Sequence, residues 1–339
     1  MIGTWLPKSL IMIISRTPHR ISFFGGGTDY PSYYLNHGGK VLGAAIDKYC
    51  YLNVRNLPPF FEHKHRIVYS ILENVNDFSQ IQHPSVRETL KYLHFGEGIS
   101  IHHDGDIPAR SGMGSSSAFT VGLIKSIYAL NGQIISKDEL TKEAIHIEQN
   151  LIQENVGSQD QTFAAHGGLN LIEFLQNGEI VVNPVIMKME RFEQFESNFL
   201  LFFSGISRIA SEVAKDQIQN TSKNESNLQT MKELVDESYT ILTNPKRNLN
   251  DFGELLNHTW KLKKTLSNKI SSPEIDEMYE KAMNSGALGG KLLGAGGGGF
   301  MVFYVEEKNK PKVIEGLKNH LHIPFKFDFE GSDIIVYKP

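Results

Sequence analysis

The chain has 339 residues, enough for about two domains, each with a sizeable core. Hydrophobic residues make up 40% and charged residues 21%, and 34 basic against 38 acidic side chains leave a formal charge of −4. These values exclude a disulfide-stapled mini-protein and argue against nucleic acid as the main partner, since duplex binders carry a net basic surface. Cys50 is the single cysteine, so no internal bridge can form. A reducing cytoplasm is the expected compartment, and a small buried hydrophobe the expected role of Cys50. After Lys8, only the seven residues Ser9–Ser15 are uncharged before Arg16. That run is too short for a leader or a membrane span and reads as a first strand, with Met12 a candidate start codon and no membrane partner expected.

In chain order, apolar runs near 11–15, 20–24, 41–54 and 66–71 predict strands, and 99–103 another. A helix is expected from about Ser117 to Leu130, with Ala118, Val121, Ile124 and Ile127 on one stripe and Gly132 as a stop. A second helix opens at the capping box Ser136–Glu139 and carries Leu140, Ala144, Ile147 and Leu151 on its apolar face. Segments 168–174 and 179–187, joined across Asn177-Gly178, predict a hairpin. Beyond about residue 190 come a strand at 198–203, long polar helices over roughly 207–243 and 251–268, a helix starting at Ser272, a glycine run, a strand at 300–305, a helix begun by Pro311 and closing strands. The polar stretch 216–230 fits either a solvated helix or a loop. The pattern is α+β with two domains, 1–190 and 191–339.

Glycine carries the chemical information. Gly25–Gly27 are consecutive, eight glycines fall between Gly286 and Gly299, and Gly112 and Gly114 precede three serines. Glycines followed by serines at a helix start gather free backbone N–H groups at the positive end of a helix dipole, which makes a phosphate cradle. The serine hydroxyls can reach a phosphate oxygen or a magnesium ion. A plain serine cap after a glycine turn is the bland alternative. No Gly-Lys-Ser/Thr follows, so the segment is not a Walker loop. Gly294–Gly299 formally satisfies GxGxxG, but it precedes a strand instead of following one, which rejects a dinucleotide fingerprint and favours a glycine hairpin supporting a substrate or phosphate loop. His63/His65 and His102/His103 lack further ligands at zinc spacing.

Two carboxylates stand near the cradle in sequence, Glu148 on the second helix and Asp160 twelve residues later. One can hold magnesium, and the other can accept a hydroxyl proton or orient a nucleophile. Alone, they fit a solvated Glu on a helix face and an Asp in a capping turn better than a catalytic pair. Arg20 and Asp29 flank the first glycine loop as a fixed cation and a short carboxylate suited to sugar hydroxyls.

Thr17–Tyr30 with its triple glycine, Pro108–Ala118, Gly157–Gln161 and Lys291–Phe300 follow one another in the order of the GHMP small-molecule kinase motifs, and the chain resembles that family over nearly its whole length. The resemblance implies a two-domain GHMP kinase fold with ATP and acceptor in the interdomain cleft. It implies that Asp160 is the catalytic carboxylate, steadied with the moving phosphoryl group by Arg20. ATP would lie on Arg110, Gly112, Met113, Gly114, Ser115, Ser116 and Ser117. Mg2+ would be held by Glu148 and Ser116 (or Ser117), and the acceptor by Gly26, Gly27, Thr28, Asp29 and Gly297. The GGGTDYP variant resembles the branch that phosphorylates the C1 hydroxyl of D-glycero-D-manno-heptose 7-phosphate. On that resemblance the partner is a small-molecule sugar phosphate, the protein a monomer or homodimer, and the 7-phosphate seat Arg208, with Lys40 and Arg110 behind it. A kinase of an unphosphorylated sugar such as fucose or galactose, and a non-catalytic sugar sensor, are the alternatives.

Overall fold

The computed structural model describes residues 11–109, 111–205 and 210–338. Its strands are β1 Met12–Phe24, β2 Gly39–Asn56, β3 His65–Val68, β4 Leu72–Val75, β5 Ile99–Gly105, β6 Leu169–Phe174, β7 Ile180–Pro184, β8 Phe199–Phe203, β9 Gly289–Leu292, β10 Phe300–Tyr304, β11 Leu321–His322 and β12 Asp333–Lys338. Its helices are α1 Pro31–His37, α2 Pro84–Tyr92, α3 Ser115–Leu130, α4 Lys137–Ile145, α5 Gln159–His166, α6 Met189–Ser197, α7 Ala210–Gln219, α8 Glu225–Thr243, α9 Asn250–Thr265, α10 Pro273–Asn284 and α11 Lys310–Gly316.

Eight strands form one sheet in the order β12-β1-β2-β5-β3-β4, with β6 and β7 branching from β2. The two strands expected at 11–15 and 20–24 are one. Pro18, which cannot donate to a ladder, sits where the β1–β2 register slips between Pro18 and His19, so the strand passes through it unbroken. β2 is long enough to serve two partners, pairing β6 through 39–44 and β5 through 50–56. The hairpin at Asn177-Gly178 is present as β6–β7, with Gly178 at φ +87°. A second, four-stranded sheet runs β11-β8-β10-β9. β12 returns from the far end of the chain to pair β1. We propose that the chain divides near residue 190 into 1–190 and 191–339, with β12 lent back to the first sheet.

The predicted long helix over 207–243 is interrupted at residues 220–224, so the polar stretch 216–230 spans the end of α7 and the start of α8. The capping box at Ser136 and Glu139 opens α4 as expected, but α4 ends at Ile145, and a π-helical turn, His146–Leu151, carries the rest. Helices α1, α2 and α6 and strands β4 and β9 lie outside the predicted elements, and each has at most nine residues.

One core fills the space between the first sheet and α2–α4. Another joins the inner ends of β1 and β2 to α8, α9 and the second sheet, and a third lies behind that sheet against α9–α11. Phe252 of α9 is fully buried in the second core, in edge contact with Phe23 and Phe24 of β1 and with Phe195 and Phe199. This aromatic cluster ties the two halves of the chain together, so Phe252→Ala is expected to cost roughly 3–5 kcal/mol in urea unfolding. A loss under about 1 kcal/mol would show that the halves do not share this core.

Candidate active site

A cavity of about 290 Å³ lies where the first glycine loop, the start of α3, the start of α5 and the second glycine loop meet. Gly114 makes the first wall possible. It stands at the N-cap of α3 with φ +77°, a left-handed conformation that glycine tolerates, and it turns the chain so that the first turn of the helix faces the cavity. First-turn amides have no intrahelical acceptor, so those of Ser115, Ser116 and Ser117 are donors at the positive helix end.

Arg20 is in the stretch of β1 that is buried on both faces, and its guanidinium spans three elements. Nε and Nη2 each donate to Asp160 at 2.8 Å, a two-pronged pair, while Nη1 donates to the Gly112 carbonyl at 2.7 Å. Asp160 occupies the first turn of α5, and Gly114 lies within van der Waals reach of it. The pair therefore orients Asp160 beside the amides of α3, and its side chain keeps 22% exposure toward the cavity.

Asp29 is 2% exposed. Its carboxylate accepts from the Gly27 amide at 2.9 Å and the Gln159 amide at 3.4 Å. Burial raises its carboxyl above the ordinary range, against the pull of the Gly27 amide and with the help of the Asp160 charge. Glu148, in the π-helical turn, is fully buried, and one oxygen accepts from Ser117 Oγ at 2.8 Å and Gln161 Nε2 at 2.5 Å. Its other oxygen, Oε1, has no protein partner. Burial pushes the carboxyl up to about 7, Glu154 adding to the rise and the hydroxyl and amide donors opposing it. Glu148 does not itself line the cavity and meets it through Ser117, but four buried polar atoms of lining residues lack partners: Ser22 Oγ, Ser111 Oγ, Ser115 Oγ and Gln159 Oε1. Buried polar groups are ordinarily satisfied, so a wall with this many unmatched donors and acceptors is built for a polar ligand.

Residues 84–168 match the model of the GHMP kinase N-terminal domain, and residues 231–323 that of the GHMP kinase C-terminal domain. The chain is also 30% identical over 95% of its length, and 98% of the relative's, to a D-glycero-alpha-D-manno-heptose 7-phosphate kinase of Campylobacter jejuni. The chain belongs to the GHMP kinase family. The fold agrees: a solved heptose 1-phosphate kinase of Bacteroides thetaiotaomicron, 25% identical, superposes with a TM-score of 0.77 over 95% of this chain and 98% of that one. Galactokinase of Lactococcus lactis, 18% identical, reaches 0.73 over 95% of each chain and shows the fold alone. This GHMP kinase is thus an ATP-dependent phosphotransferase acting on a hydroxyl acceptor, of the sugar-kinase type, which sets aside the sensor alternative. None of its described helices is long and apolar enough to cross a membrane.

The structure gathers Arg20, Gly26, Gly27, Asp29, Gly112, Ser115, Ser116, Ser117 and Asp160 on one cavity wall. It separates others from it. Ser117, not Ser116, touches Glu148, because the two serines differ by 100° around α3 and only Ser117 faces inward. Met113 is fully buried in the core, and only its carbonyl serves the site, accepting from the Arg20 amide. Thr28 braces the loop with its hydroxyl on the carbonyls of Gly25 and Lys40. Gly297 gives its amide to the Ile270 carbonyl. Lys40 is ion-paired with Asp236 at 2.7 Å and Glu173 at 3.6 Å and does not line the cavity. Arg110 and Arg208 lie outside the described residues. Two cavity-lining lysines, Lys263 and Lys291, were not singled out from sequence. Lys263 could have been found by helix register, since it falls on the buried stripe of α9 marked by Phe252, Leu256 and Thr259.

The Ser117–Glu148 bond yields a pH-dependent prediction. Ser117→Ala removes a donor that stabilises the carboxylate more than the carboxylic acid, so its cost is full above about pH 7 and fades as pH falls through that value. We expect roughly 1–3 kcal/mol at pH 8.5 and under half of that at pH 5.5, read by urea unfolding in chelator. An equal cost at both pH values would show that Glu148 does not change its protonation between them.

Proposed function

We propose that this kinase transfers the γ-phosphoryl group of ATP to the C1 hydroxyl of D-glycero-D-manno-heptose 7-phosphate, forming the 1,7-bisphosphate used for nucleotide-activated heptose. The observation that carries the reading is the convergence of the first turn of α3, the Arg20-held Asp160 and the buried Asp29 on a single cavity. The named activity of the Campylobacter relative supports the acceptor. A bacterial fucokinase that is 25% identical marks the rival acceptor class, but this chain spans only 35% of that longer protein.

The chemistry asked of the chain is positioning and charge neutralisation. The amides of Ser115–Ser117 hold the nucleotide phosphates at the helix end. Asp29, with the amide-lined loop Gly26–Gly27, holds acceptor hydroxyls. Asp160 orients the attacking hydroxyl and takes its proton, the guanidinium of Arg20 keeping the carboxylate aimed. Mg2+ would be held through Glu148 Oε1, a buried carboxylate oxygen with no protein partner, and the hydroxyl of Ser117, which bonds the other Glu148 oxygen, while Ser116 lines the cavity without touching Glu148. Bound there, the ion would neutralise developing phosphate charge. A cytoplasmic location is part of the same reading, consistent with the free, buried thiol of Cys50.

Turnover of heptose 7-phosphate should exceed that of unphosphorylated heptose, fucose and galactose, with the new phosphate on C1 by NMR of the product; equal rates with and without the 7-phosphate would remove the acceptor assignment. Asp160→Asn should lower kcat roughly 10²–10⁴-fold with nucleotide binding retained, and near-normal kcat would overturn the role of that carboxylate. Glu148→Ala should shift the magnesium titration of activity to higher concentration, whereas an unchanged titration would leave Glu148 structural.

A further inference from the structure

Lys263 and Lys291 bring two ammonium groups to the cavity from elements that pack on one another, α9 and β9. They are 5% and 2% exposed. Nζ of Lys263 donates to the carbonyls of Leu292, at 3.2 Å, and Gly294, at 2.5 Å. Nζ of Lys291 donates to the carbonyls of Ser22, at 2.8 Å, and Phe23, at 3.0 Å. Every one of these acceptors is a neutral main-chain oxygen. When protonated, each lysine has three donors and so keeps one uncommitted, and neither is ion-paired among the described residues.

The nearby carboxylates are already engaged. Asp160 faces Arg20 with both oxygens, and Asp29 accepts the amides of Gly27 and Gln159. The wall carries three basic side chains, Arg20, Lys263 and Lys291, beside three carboxylates, Asp29, Asp160 and Glu154, and none of the three carboxylates is ion-paired with either lysine. Burial, followed by repulsion from Arg20, pulls the Lys263 ammonium down to about 7, and burial with the charges of Lys263 and Arg20 pulls Lys291 well below its ordinary value. In both, Asp29 opposes the fall. Burying two ammonium groups side by side is unfavourable unless an anion joins them. An apolar pair of equal volume would have packed this wall at lower cost.

We propose that Lys263 and Lys291 form a seat for a phosphate dianion, a second phosphate-binding element besides the first turn of α3. The chemistry is a tetrahedral phosphate oxygen set, supplied either by a phosphate that the acceptor itself carries or by the terminal phosphate of the nucleotide. The first source rests on the acceptor proposed above; the seat itself does not. With a ligand bound, the spare donor of each lysine meets a phosphate oxygen while the carbonyl bonds of Lys263 keep the loop at Leu292–Gly294 against α9.

The unmodified protein tests the seat without relying on a variant. Inorganic phosphate, titrated by calorimetry, is expected to bind with an affinity that falls as sodium chloride rises, and no binding at millimolar concentrations would overturn the proposal. Lys263→Met and Lys291→Met keep the side-chain length and remove the charge. Each should weaken inorganic phosphate at least tenfold while adenosine, which has no phosphate, binds as before. Unchanged phosphate binding in both variants, or an equal loss of adenosine, would overturn the seat, the latter by showing a purely structural role. The source is read from the arms of the same experiment. A tenfold rise in KM for the phosphorylated acceptor alone assigns its phosphate, and a tenfold loss of a non-hydrolysable ATP analogue with ADP unaffected assigns the nucleotide's. If heptose 7-phosphate is not turned over while inorganic phosphate binding still depends on Lys263, the acceptor assignment fails and the seat stands.

Discussion

The two-pronged bond between Arg20 and Asp160 is the interaction on which the site depends. It joins the middle of β1 to the first turn of α5, and through Nη1 it also grips the glycine loop ahead of α3. Three segments separated by up to 140 residues are thereby held to one point. Charge-assisted bonds of this geometry are directional as well as strong, so they aim the carboxylate instead of merely neutralising it. Arg20 is nearly buried while Asp160 is partly open, and that asymmetry leaves the acid available to a ligand while its partner stays fixed. Loss of either partner would strand a desolvated charge, which is costlier than never having built the pair.

Around that bond the glycines act mainly by permitting backbone to touch backbone. A Cβ on Gly294 would stand 2.5 Å from the Cα of Gly112, and one on Gly299 would stand 2.1 Å from the Ser111 carbonyl. The glycine run near the C-terminus is thus a packing surface for the loop that leads into α3, and the two loops form neighbouring walls of one cavity. A side chain at either contact would push the walls apart and move the amides of α3 away from Asp160. Gly157 plays the same part for Asp29, whose carboxylate lies where a Cβ would be. The site therefore brings main-chain amides and a few deeply anchored charges to one cavity, an arrangement that suits phosphate and hydroxyl groups.

The electrostatics follow from depth. Glu148, Asp29, Lys263 and Lys291 are all removed from water, and burial is the leading cause of each displaced pKa. Such a set is expensive in a chain with no ligand and becomes favourable when cations and anions arrive together, as a nucleotide with its metal would. That is the physical reason for reading the cavity as a phosphoryl-transfer site and not as a polar defect of the core.

Local chemistry in the sequence determined much of this. The glycine turn ahead of three serines, the capping box at Ser136, the Asn177-Gly178 hairpin and the positions of Asp160 and Glu148 near a helix start and on a helix are effects of neighbours within a few residues, and they are legible without a fold. The motif order likewise pointed to the family. Tertiary structure decided what depends on residues far apart in the chain. It joined the two halves of β1 across Pro18, returned β12 to the first sheet, chose Ser117 over Ser116 as the neighbour of Glu148, and spent Lys40 on an outer ion pair. It also buried Lys263 and Lys291, which composition alone would assign to the surface. A lysine reads as solvated until something shows which neighbours exclude water from it, and those neighbours come from strands and loops whose contact only the folded chain creates.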